Sequence, residues 1–166
     1  MDRAEQYRQI ANDRMPEENI IDGAYYLAVN DEDYDKAKEY VLQLIECAEL
    51  DDDFFDAYSY LADTEEIIGE NPDLVRQYGE KALYYAMQRI ENIKETSSEV
   101  LFDLWKDAGD SALLAEEYID AASCFTKALE YLTDHERLDT ILIVKTDLAK
   151  SFARTNLKSD VMELLA

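Results

Sequence analysis

Between Trp105 and Ala128 large and small residues alternate at helical spacings: Trp105-x2-Ala108-Gly109-x2-Ala112, then Tyr118-x2-Ala121-x3-Phe125-x2-Ala128. Residues three and four apart share a helix face, so each of two successive helices presents bulk beside a gap. Such helices approach closely and interlock as a hairpin. This feature constrains the fold more than any other in the chain. It points to an architecture suited to holding another molecule rather than transforming one.

The rest of the chain carries the same helical periodicity, without the alternation of strands. Four Gly and two Pro leave few forced turns, and 48% apolar residues argue against disorder. Seven to nine helices are expected. The first runs from about Asp2 to Arg14, and Pro16 suits the first turn of the second, which carries Ile20, Ile21, Ala24, Tyr25 and Ala28. Asn30-Asp31-Glu32-Asp33 ends it. The next helix carries Tyr34, Ala37, Tyr40, Val41, Leu44 and Ile45. Asp51-Asp52-Asp53 reads as the following break, with its acids near the positive N-terminus of a helix that ends near Gly69. Asn71-Pro72 restarts the chain as an N-cap followed by proline, and that helix extends to about Lys94. Thr96-x-x-Glu99 and Thr133-x-x-Glu136 both read as capping boxes. The helix after Thr133 has the expected stripe Leu138, Ile141, Leu142, Lys145, Leu148, Ala149 and Phe152, and a short last helix holds Val161, Leu164 and Leu165.

Paired helices with short links suggest an internal repeat. Tyr58, Leu61 and Ala62 fall where Trp105, Ala108 and Gly109 fall, and Ala82-Leu83 matches Ala128-Leu129. Tyr34-x2-Ala37-x3-Val41 matches Tyr118-x2-Ala121-x3-Phe125, and Leu148-Ala149-x2-Phe152 matches Ala108-Gly109-x2-Ala112. On Trp105, Ala108, Gly109, Tyr118, Ala121, Phe125 and Ala128 the chain resembles the tetratricopeptide repeat family. It departs from that family at Ala112, where a large aromatic is usual, and in lacking a proline at the end of the unit.

The resemblance implies an all-α chain of antiparallel helical hairpins, stacked as a short right-handed superhelix. The expected units are an N-terminal helix over residues 1–17, hairpins over 18–53, 54–97 and 98–134, and a C-terminal hairpin over 135–166. The resemblance also implies a concave face lined by the first helix of each pair, where a peptide or a partner's helix docks. Carried over by register, that face comprises Asn19, Asp22 and Tyr26, then Asp56, Ser59, Asp63 and Glu66, then Asp103, Lys106 and Asp110, then Thr146, Lys150 and Arg154. Only Lys106 stands where the family's carboxylate clamp would need a cation, so no such clamp is expected. The size, acidity and repeat type also resemble the secretion chaperones of bacterial type III systems.

Charge narrows the partner. The chain has 39 acidic and 16 basic residues, a formal net charge of −23. That field repels nucleic-acid backbones and attracts a basic partner at low salt. Cys47 and Cys124 lie inside apolar helical patterns with no motif around them, as buried thiols in a reducing compartment do. The N-terminus lacks a signal peptide's charged start and apolar run. No apolar run approaches the roughly 20 residues that span a bilayer. A cytoplasmic protein is the expectation.

Catalytic and metal chemistry find little footing. Asp31-x-Asp33-x-Asp35 opens like a calcium loop, but Lys36 and Leu42 stand where that loop needs glycine and a bidentate glutamate. The single histidine, His135, lies between Asp134 and Glu136, far from any ligand cluster. Phosphate-cradling and nucleophile motifs are missing. With so many acids, carboxylate pairs carry no information about glycosidase chemistry. Tyrosines cluster at Tyr25-Tyr26, Tyr58/Tyr60 and Tyr84-Tyr85, mostly as core, with Tyr26 and Tyr60 expected partly exposed, where an amphipathic ring can bind a partner. The expected function is a non-enzymatic, cofactor-free interaction module. It binds a basic or amphipathic segment of another protein in an acidic groove, as an adaptor or chaperone does. The alternative is an acidic inhibitor that imitates a nucleic-acid backbone, which requires carboxylates in rows on a convex face.

Overall fold

The computed structural model describes residues 25, 28–94, 97–132 and 138–155. Every regular element among them is helical: after a helical stretch at Ala28–Asn30 come α1 (Tyr34–Cys47), α2 (Asp51–Ile68), α3 (Pro72–Asn92), α4 (Ser98–Leu114), α5 (Tyr118–Glu130) and α6 (Leu138–Arg154). The expected first helix, the last helix, the Thr133-x-x-Glu136 cap and His135 lie outside the described residues.

Local chemistry sets the boundaries. Glu32 takes a left-handed conformation (φ 58°) at the turn into α1. Its N–H donates to the Val29 carbonyl (3.0 Å), and the Asp33 N–H donates to Ala28 (2.8 Å). The same turn recurs before α5. Glu116 has φ 59°, its N–H donates to Leu113 (3.1 Å), and the Glu117 N–H donates to Ala112 (2.9 Å). These paired bonds satisfy the last carbonyls of a helix, in a geometry that glycine normally serves. The α2–α3 turn does use glycine: Gly69 sits at φ 72° and its N–H donates to Glu65 (2.9 Å). Asn71 then caps α3, its Oδ1 accepting from the Leu74 N–H (3.3 Å), with Pro72 at the first helical position.

Three expectations shift. Asp51-Asp52-Asp53 is not a break but the first turn of α2, where Asp53 Oδ2 also accepts from the Leu50 N–H (3.3 Å). Ser97 caps α4, accepting from the Val100 N–H at 3.3 Å; Glu99 lies in the first turn, and Thr96 is outside the described residues. On α6 the buried residues are Val144, Leu148 and Ser151, whereas Leu138 and Leu142 are exposed.

Each helix packs mainly on its neighbours in sequence, and α4 also touches α6. The apolar interior follows suit as three successive clusters. The first joins Tyr25, Ala28 and α1 to Ala57 and Leu61 of α2. The second gathers Phe55, Ala82, Ala86, Ala108 and Cys124 from α2 through α5. The third unites Phe102, Ala112, Ala121, Phe125 and Ala128 with Val144 and Leu148 of α6. Burial of a large side chain such as Phe102 or Phe125 contributes roughly 2–3 kcal/mol.

Close approach depends on the small residues. Gly109 and Ala121 are buried, and a Cβ on Gly109 would lie 2.5 Å from the Phe125 ring. Gly79 has the same role between α3 and α4, where a Cβ would lie 2.6 Å from the Ala115 backbone nitrogen. Polar ties join other pairs. Tyr25 stacks on Tyr60 (centroids 4.5 Å apart), and its hydroxyl lies 3.0 Å from Thr64 Oγ1. Lys38 of α1 pairs with the buried Glu65 of α2 at 3.2 Å. Arg89 of α3 pairs with Asp52 and, at 3.3 Å, with Asp107, while stacking over Phe55. It thereby binds three helices to one side chain.

Candidate functional site

A hollow of about 540 Å³ lies between α2 and α4. Helical spacing builds both walls. From α2, Asp56, Ser59, Asp63 and Glu66 line it, and from α4, Asp107, Asp110, Ser111 and Leu114. Phe55, Tyr60 and Leu113 supply apolar surface. Among the described residues no lysine or arginine lines it.

The carboxylates press on one another. Burial within the groove pushes the Asp63 carboxyl up to about 6, with Glu66 and Asp110 adding repulsion. Asp63 nevertheless keeps one side open to solvent. Asp110 is also raised, by burial above all, although the Lys106 ammonium lies 2.7 Å away and opposes the shift. Asp107 is raised by burial against the pull of Arg89 and Lys106. Burial works against the charge on Lys106, but Asp110, Asp107 and Asp103 outweigh it and hold the ammonium more firmly protonated than usual. The groove therefore gathers negative charge on half-open walls, a setting that favours an incoming cation, although Arg89 and Lys106 already pair with Asp107 and Asp110.

Five of the residues expected on the concave face share this hollow: Asp56, Ser59, Asp63, Glu66 and Asp110. Lys106 stands beside it through its pair with Asp110. Asp103 is exposed and does not line it. Lys150 pairs with Asp147 at 2.7 Å, and Arg154 sits over the Tyr118 ring. Neither lines the groove, and nor does Thr146, whose hydroxyl donates to the Leu142 carbonyl at 2.7 Å. Asn19, Asp22 and Tyr26 lie outside the described residues. Tyr60, half-buried as expected, stacks on Tyr25 and also lines the groove.

Asp107, Ser111 and Leu114 line the hollow although the family register does not place them there. Their signal was available, because 107, 110, 111 and 114 follow the 3-and-4 spacing of one helix face.

Among the described residues no group of His, Cys, Asp and Glu has the arrangement of a metal site, and no helix is long and apolar enough to cross a membrane. Cys124 is a buried free thiol, its pKa pushed up to about 11 by burial, with Asp120 adding repulsion. Neither a known family model nor a curated protein matches the chain.

Proposed function

We propose that the protein is a non-enzymatic interaction module, built as a tetratricopeptide-repeat-like stack of helical hairpins. It receives a basic or amphipathic segment of a partner protein between α2 and α4. The observation that carries this reading is the 540 Å³ groove with five carboxylates and, among the described residues, no basic one in its lining. Neighbour-by-neighbour helix packing and the serial apolar clusters support the stacked arrangement. Paired carboxylates from two helices give a cation both attraction and a fixed register. The aromatic and aliphatic floor suits the apolar side of an amphipathic segment. An adaptor or chaperone role in a reducing cytoplasm agrees with the buried, unreactive Cys124 thiol.

The test is capture of partners from native extract by the wild-type chain and by an Asp63→Lys/Asp110→Lys variant, washed across a salt gradient. The variant is expected to lose basic partners that the wild type holds at low salt. Equal retention by both would remove the groove from the reading. Competition by duplex DNA for the captured partner would favour backbone mimicry instead.

A further inference from the structure

A second hollow, of about 350 Å³, adjoins the acidic groove where α2 ends, α3 begins and α4 finishes. Its walls include Gly69, Pro72, Val75, Leu113, Leu114 and Tyr118. It shares Glu66, Leu113 and Leu114 with the first hollow, so the two lie side by side across those residues. The wall at Gly69 is open, because a Cβ there would meet nothing nearer than 3.9 Å. Glu65, Glu66 and Glu116 border the apolar patch, and again no lysine or arginine among the described residues lines it.

Resting on the groove reading above, the geometry points to a partner segment of defined chemistry: a bulky apolar side chain lodged against Val75 and Leu114, next to a lysine or arginine that enters the acidic groove. Charge complementarity selects this occupant. An acidic residue beside the apolar anchor would face Glu66 and Glu116 and be repelled. A purely polar basic segment would leave the Val75 and Leu114 surface wet and forgo the gain from covering it. A neutral apolar segment would seat without relieving the repulsion among Asp63, Glu66 and Asp110.

The probe is a display library of short randomised peptides, selected on the full chain at low salt. Selected peptides are expected to place Leu, Ile, Met or Phe within a few residues of Lys or Arg. A chosen synthetic peptide of that kind should lose about tenfold or more in affinity on changing its apolar residue to serine. Val75→Gln and Leu114→Gln, each checked for unchanged helical content by circular dichroism, should cause the same loss. They should leave the salt dependence of binding unaltered, whereas Asp63→Lys should flatten it. Selected peptides rich in cations with no apolar neighbour would overturn this inference and leave the groove reading standing. Selected peptides without cations would overturn both. Binding indifferent to Val75 and Leu114 would also overturn the inference.

Discussion

A glycine in mid-helix normally weakens it by about 1 kcal/mol relative to alanine. At Gly79 and Gly109 the missing Cβ is what lets neighbouring helices touch. Gly109→Ala should destabilise the fold by about 1–3 kcal/mol in urea denaturation, because the Phe125 ring fills that space. The cost should shrink in a Phe125→Leu background, a coupling that a double-mutant cycle would read. Gly79→Ala should cost at least as much, since its obstacle is the Ala115 backbone rather than a side chain. Asp63 is the titratable counterpart. Its folded pKa, about 6, lies above the ordinary 3.8, so the folded chain holds that proton more tightly than the unfolded chain does. The associated stability is complete below about pH 4 and is lost as pH rises through 6. Asp63→Asn should therefore raise the melting temperature at pH 7.5 and leave it unchanged at pH 4. Seating a cation in the groove would expel the same proton, so affinity for a basic peptide should fall as pH drops below about 6. A melting temperature that Asp63→Asn leaves unchanged at pH 7.5 would contradict the assignment.

At the scale of the helix, the turns before α1 and α5 place glutamate where glycine is the unstrained choice. Glu116→Gly and Glu32→Gly should each stabilise the chain by about 0.5–1 kcal/mol, measured as a shift in denaturation midpoint. No gain at either site would mean that those turns are not left-handed in solution. Much of the helical order was legible because punctuation was local. Asn71, Pro72 and Gly69 act on the backbone beside them, and the Tyr34 and Tyr118 stripes have unambiguous phase. Three matters were not legible. Ile141, Leu142, Ile143 and Val144 are apolar in succession, so periodicity cannot decide which of them turns inward; contact with α5 buries Val144 and leaves Leu142 and Ile143 exposed. Gly79 owes its role to Leu114 and Ala115, remote in sequence. The groove face of α4 begins one turn later than the family register implies, which brings in Asp107 and leaves out Asp103.

Over the whole molecule, a net charge of −23 acts on folding and on binding with opposite sign. Salt screens the self-repulsion of the folded chain, so raising NaCl from about 20 mM to about 0.5 M should raise the melting temperature. The same salt should weaken capture of a basic peptide. If both quantities moved together, the charge would be serving solubility alone. The serial interior has another consequence. Among the described residues Tyr58 joins the first cluster to the second, and Leu83 and Trp105 join the second to the third. The chain thus has seams, and its outer layers can open while the middle stays shut. Amide hydrogen exchange should be slowest around Ala82, Ala86 and Ala108 and faster towards α1 and α6. A guest lying across α2 and α4 would therefore rest on the part that stays shut, meeting walls that hold their spacing before it arrives.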